Sequence, residues 1–121
     1  MRRLLLESSA SSIPQRFLWP DEAGCCHAVQ MTPCRGSVIL VTEESIAWPY
    51  NLSLREVQVL TLIARGCSNP EIAQLLFVSA RTASTHVEHI LAKMDCSSRA
   101  KLAAMAVAEG LLVCDVKRRR T

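Results

Sequence analysis

The stretch Ser68–Met94, SNPEIAQLLFVSARTASTHVEHILAKM, decides the fold. Ser68-Asn69-Pro70-Glu71 is a capping box: the serine hydroxyl accepts the Glu71 amide while the Glu71 carboxylate reaches back. Pro70 lies in the first turn, where its missing N–H costs nothing. Ile72, Leu75 and Leu76 supply the buried face of a short helix. Val78-Ser79-Ala80 is the turn, and Ser79 caps a longer helix. Ala83, Val87, Ile90, Leu91 and Met94 recur at offsets of four, seven, eight and eleven, which is one helical face. Asp95 and Cys96 end it. Two short helices joined by a three-residue turn fit the helix-turn-helix pattern.

Working outward, Ser53-Leu54-Arg55-Glu56 is a second capping box, followed at helical spacing by Val57, Leu60, Thr61 and Ala64. Gly66 supplies the stop. On the other side Ser97 or Ser98 opens a fourth helix, RAKLAAMAVAEG, closed by Gly110. Leu102, Met105 and Ala106 do not share a side with Ala103 and Val107. A helix apolar all round is covered twice, once by its own core and once by something else. A second copy of the chain is the simplest cover. Residues 52–113 therefore read as four helices of about three, two, four and three turns, with a core small enough to gain from dimerisation.

The flanks read differently. The chain has 121 residues, half of them hydrophobic and only 4% aromatic, which suits helices more than sheets. Residues 1–50 carry 4 Lys/Arg against 5 Asp/Glu, residues 51–113 carry 6 against 5, and residues 114–121 carry 4 against 1. The positive charge thus sits in the tail Lys117–Arg120, KRRR, which is either a solvated run or a phosphate-contacting arm. Before Ala47 the signals are weak. Ser37–Glu43, SVILVTE, is the one good strand candidate, and a lone strand cannot bury both faces. The expected partition is an unassigned segment 1–50, a helical domain 51–113 and a basic tail 114–121.

No apolar run approaches the ~18 residues of a membrane span. The start MRRLLLESSASS is too short in its apolar core for a secretory signal. A cytoplasmic chain with reduced thiols is expected. Cys25, Cys26, His27 and Cys34 fall close together but lack knuckle spacing and a second pair, so no metal is expected. Cys67, Cys96 and Cys114 read as small hydrophobes. No cofactor is implied. No nucleophile, base and orienting group converge and no phosphate loop is present, so an enzyme is not expected.

The elements LSLRE, ARGCSNPEIAQLLFVS, RTASTHVEHILAKM and SSRAKLAAMA, within Leu52–Ala106, resemble the LuxR/GerE-type DNA-binding domain of bacterial transcription regulators. They cover about half the chain in the family's order and spacing. The fourth helix argues against the related region-four fold of sigma factors. The expected fold class is then all-α: a four-helix helix-turn-helix domain behind a poorly defined segment with one strand candidate. The resemblance implies a third helix (81–94) in the major groove, a second crossing the backbone, and a fourth (98–109) pairing two subunits. Expected partners are double-stranded DNA, a second copy of the chain and RNA polymerase.

The face of the third helix opposite its apolar stripe is Arg81, Ser84, Thr85, Glu88 and Ala92. Hydroxyls and Arg can donate to base edges or phosphates, and Glu can accept from cytosine N4. Ser68 and Asn69, opening the second helix, can hold a phosphate. Thr82, His89 and Lys93 are further phosphate candidates, with cap completion the competing role for Thr82. His86 reads as a partly buried packing residue. Arg99 is a family signature, expected to anchor the fourth helix through a hydrogen bond. The expected dimer interface is Leu102, Met105, Ala106 and Glu109. Two departures stand out: Ala83 where the family usually has Val, and Ser84 where it usually has Lys or Arg. With Glu88 they lower the sequence-independent attraction to DNA. They motivate an alternative function, an interaction module that heterodimerises with fuller family members. Sensors of the receiver, autoinducer-binding, GAF or PAS kind need roughly a hundred residues, so the chain is expected to be either a single-domain regulator or the end of a longer protein, with Ser37–Glu43 the last strand of a lost sensor, and Asp21 a poor phosphoacceptor.

Overall fold

Each helix begins at a serine whose hydroxyl accepts a first-turn N–H, from Glu56, Glu71, Thr82 and Lys101 for Ser53, Ser68, Ser79 and Ser98. A computed structural model describes residues 15–113 and the backbone of Arg2–Glu7. The elements are β1 (Arg2–Glu7), β2 (Arg16–Pro20), β3 (Cys26–Pro33), β4 (Val38–Ile46), α1 (Leu54–Ala64), α2 (Asn69–Leu76), α3 (Ala80–Lys93) and α4 (Arg99–Glu109). The KRRR tail and Cys114 lie outside the described residues.

The four expected helices are present, with stops of the kind read from the chain. Gly66 and Gly110 both take positive φ behind α1 and α4. At the end of α2, where the chain turns toward α3, Phe77 is left-handed (φ 57°) and 94% exposed. The buried stripes meet in one core that includes Val57, Leu60, Ile72, Ala83, Ile90, Leu102 and Ala106, each without measurable exposure.

The all-α expectation is corrected. Residues before Ala47 form an antiparallel sheet of order β1-β4-β3-β2. The expected strand Ser37–Glu43 is β4, one of four. Of the other three, β2 is only five residues long, and β2 and β3 end in Pro20 and Pro33, which are tolerated at strand termini. Pairing of Leu18 with Ala28 and of Cys26 with Ile46 places these side chains on one face. That face meets the helices, and Leu18 and Cys26 join their core. Burial pushes the Cys26 thiol up to about 11. On the opposite face His27 sits between two carboxylates, 2.8 Å from Asp21 Oδ2 and 2.8 Å from Glu43 Oε2, with the Trp19 ring beside it.

The seam between sheet and helices is specific. The Leu18 N–H donates to Leu112 O at 2.7 Å, and Leu18 bridges Val113 in parallel. The Val113 N–H donates to the buried Thr61 hydroxyl at 2.9 Å, which itself donates to Val57 O. Arg16 donates to Ala108 O and Glu109 O, the open carbonyls at the end of α4. Gly110 is required here: it is left-handed, and a Cβ would lie 2.8 Å from Arg16 Cβ.

Candidate nucleic-acid interface

The amphipathic register of α3 buries Ala83, Val87 and Ile90 and turns Arg81, Thr82, Thr85, Glu88, His89 and Ala92 to solvent, with Ser84 and His86 half-buried. His86 keeps its packing position, and its Nδ1 is buried without a partner in the structure. The exposed face carries Arg81 as its base and Glu88 as its acid. Thr85 Oγ1 donates to Arg81 O at 3.0 Å. The Ser79 hydroxyl donates to Thr82 Oγ1 at 2.9 Å and accepts the Thr82 N–H, so Thr82 completes the α3 cap.

At the start of α2 the capping box closes on itself. The Ser68 N–H donates to Glu71 Oε1 at 2.7 Å, and the Glu71 N–H returns to Ser68 Oγ. These bonds hold the Glu71 carboxyl below its usual range. Ser68 therefore does not offer the open N–H expected of it. Pro70 has none, which leaves the Asn69 N–H as the first-turn donor.

Lys93, expected as a phosphate contact, is exposed, with its ammonium paired. Its Nζ donates to Glu56 Oε1 at 2.7 Å and to Asn51 O at 3.0 Å, tying the end of α3 to the start of α1. His89 Nδ1 stands 3.7 Å from Glu56 Oε2. Burial alone pushes the Glu56 carboxyl up. The Lys93 hydrogen bond, the Ser53 N–H and the charges of Lys93 and His89 together outweigh it, and the carboxyl lies below its usual range.

Arg99 anchors α4 to the front of α2. It donates through Nη1 to Asn69 Oδ1 at 2.8 Å and through Nη2 to Cys67 O. Asn69 Nδ2 continues to Ser84 Oγ on α3 at 3.4 Å. Sequence reasoning placed Asn69 and Ser84 separately. No local signal joins residues fifteen apart on different helices.

The residues expected to form the pairing face of α4 divide between the core and the surface of the single chain. Leu102 and Ala106 have no exposure, because they face α1 in the chain's own core, so neither is open to a second copy. Met105 is half-buried, with its sulfur 3.2 Å from Cys96 Sγ. Glu109 is exposed but accepts the Tyr50 hydroxyl at 2.7 Å. The outward residues are Ala104, Val107, at 61% exposure, and Ala108.

Residues 50–106 match the family model described as bacterial regulatory proteins, luxR family. The transcriptional regulatory protein YhcZ of Bacillus subtilis is 50% identical over 58 residues, 48% of this chain and 27% of its own length. The oxygen regulatory protein NreC of Staphylococcus haemolyticus is 44% identical over 61 residues, 50% of this chain and 28% of its own. The chain thus spans little more than a quarter of the length of either relative. The VqmA dimer of Vibrio cholerae, solved without its target DNA, superposes with a TM-score of 0.52 at 20% identity, covering 84% of this chain and 56% of that one. That likeness concerns the fold. Among the described residues no helix is long and apolar enough to cross a membrane.

Proposed function

Residues 50–106 are a helix-turn-helix domain of the luxR family of bacterial regulatory proteins, and on that premise we propose that the chain is a sequence-specific, DNA-binding transcription regulator acting in the cytoplasm as a homodimer. The observation that carries this is the division of α3. Its apolar stripe is spent on the core, while Arg81, Thr85 and Glu88 stand exposed on the other side. A helix free along one face fits the major groove, where those side chains reach base edges. Ser84 and the Asn69 N–H flank this face, the latter as the backbone donor for a phosphate. Lys93 and Thr82 hold α3 in place, and His89 lies at the edge of the surface.

Dimerisation through α4 is part of the proposal, carried by Ala104, Val107 and Ala108, with Met105 and Glu109 at the margin. Residues 51–113 are the DNA-binding unit, residues 1–50 an accessory sheet and residues 114–121 a basic arm for the phosphates.

A second reading has its own support. With Lys93 paired to Glu56, Arg81 is the only cation on the exposed face of α3 and Glu88 opposes it, which suits an interaction module that pairs with other regulators of the family. Fluorescence anisotropy on random duplexes at two salt concentrations, followed by selection of bound sequences, separates the two. A steep fall of affinity with salt and enrichment of a two-fold site are expected. A folded helical dimer that binds no duplex at low salt moves the function to the interaction module.

A further inference from the structure

We infer that Asn69 is a specificity-determining residue that acts through Ser84, setting which way that hydroxyl's proton points; the inference rests on the DNA-reading proposal above. A guanidinium has donors and no acceptor. The Asn69 atom 2.8 Å from Arg99 Nη1 is therefore the carbonyl Oδ1, which fixes the orientation of the amide. Arg99 cannot swing away to accommodate the other orientation, because its second arm holds Cys67 O. The amide is planar, so Nδ2 faces the other way, 3.4 Å from Ser84 Oγ. Nδ2 donates only, and Ser84 Oγ must accept.

A hydroxyl has one proton to give. With one of its two lone pairs engaged by Asn69, Ser84 turns its proton away from that amide and outward. Its proton then suits guanine O6 or N7, thymine O4 or a phosphate oxygen, ahead of the N4 amine of cytosine, for which one lone pair is left. Thr85 has the reverse polarity. Its proton is spent on Arg81 O at 3.0 Å, so only lone pairs face outward. Arg81 and Ser84 are thus the donors of the reading face, and Thr85 and Glu88 its acceptors, suited to cytosine N4 and adenine N6. The pattern follows from which hydroxyl is bound by what, and residue types alone do not give it. It also ties the polarity of α3 to α4, because Arg99 fixes the amide from the first turn of that helix.

Asn69→Asp tests this. The carboxylate keeps the pairing with Arg99 and suits the first turn of a helix. Its second oxygen accepts from Ser84, which reverses the hydroxyl and leaves a lone pair facing the DNA. The full chain, Asn69→Asp, Ser84→Ala and the double variant are compared by selection from random duplexes and by anisotropy on the selected sites, with far-ultraviolet circular dichroism as the check on folding. At the base edge met by Ser84 the unaltered chain is expected to favour guanine or thymine over cytosine. Asn69→Asp is expected to reverse that preference by about three- to tenfold, the range of one hydrogen bond. Ser84→Ala is expected to erase it, and adding Asn69→Asp to Ser84→Ala to change affinity without restoring any preference. The inference is overturned if Asn69→Asp selects the same bases in the same order, or if its shift persists in the Ser84→Ala background, where only the added charge acts. A folded chain that enriches no sequence at all overturns the DNA-reading proposal itself, and this inference with it.

Discussion

The two halves of the chain differ in what holds them. Among the described residues the helical half buries eighteen apolar side chains, and the sheet buries three, Leu18, Cys26 and Val41. Two of those three are buried against the helices rather than within the sheet. The helices also close their own ends with serine caps and two capping boxes, whereas the sheet is tied to α4 by Arg16, Leu18 and the close approach of Gly110. The helical half is thus stabilised from within. The sheet borrows its core, and its order depends on the helices more than theirs on it.

The largest effect that sharpens this contrast is expected in the helical core. Leu60→Ala removes a side chain with no exposure and costs about 2–5 kcal/mol. Denaturant unfolding followed by far-ultraviolet circular dichroism and by Trp19 fluorescence is expected to show both halves lost together. Retention of the sheet signal after the helices melt breaks the idea that the sheet depends on them.

Next is Gly110→Ala, which forces a left-handed alanine whose Cβ meets Arg16 Cβ at 2.8 Å, a cost of at least about 2 kcal/mol. It is expected to release the sheet while α1 to α3 persist, read as faster amide exchange at Leu18 and Val113 than at Ile72 and Ile90. Equal acceleration at all four places the damage in the helical core instead. Thr61→Val is milder. It keeps the shape and leaves the Val113 N–H without its acceptor, costing about 1–3 kcal/mol. Its midpoint in urea is expected to fall without a change in slope, and an unchanged midpoint shows the seam to be dispensable.

The smallest effect is on pH dependence, and each half has its own reporter. Glu56 is held below its ordinary value of 4.5 for the reasons given above. Asp21 is held below 3.8 chiefly by its hydrogen bond with His27, then by the Cys25 N–H. A carboxyl lowered in the folded state contributes stability that is complete above its ordinary value and is lost as pH falls through that value toward the folded one. Glu56→Gln is expected to flatten the loss of global stability from about pH 5 downward. Asp21→Asn is expected to flatten only the sheet's signal. An acid profile unaltered by Glu56→Gln removes the Glu56–Lys93 tie from the account of stability.

The residues that were read correctly are those whose signal is local. Ser53, Ser68 and Ser79 declare their caps to amides three residues on, and Gly66 and Gly110 mark the stops. The stripe Ala83, Val87, Ile90 and Met94 follows from the pitch of a helix alone. The features that the chain leaves open concern side chains with two plausible destinations. Lys93 is exposed, and only the fold places Glu56, thirty-seven residues away, beside its ammonium. Leu102 and Ala106 lie on one of two apolar faces of α4, and the pattern within the helix does not say which face meets α1. The strands β2 and β3 are legible only through their partners, because a short strand has no internal bonds to advertise it.

By itself the sequence determined the four helices and the helix-turn-helix order, since each rests on contacts within about four positions along the chain, and the order and spacing of its motifs carried the resemblance to the luxR family over residues 50–106. The tertiary structure alone decided the order of the sheet, the pairing of Lys93 with Glu56 and the run of bonds from Arg99 through Asn69 to Ser84. Those depend on residues between six and forty-two positions apart being brought within the reach of a hydrogen bond, and only the packed fold does that.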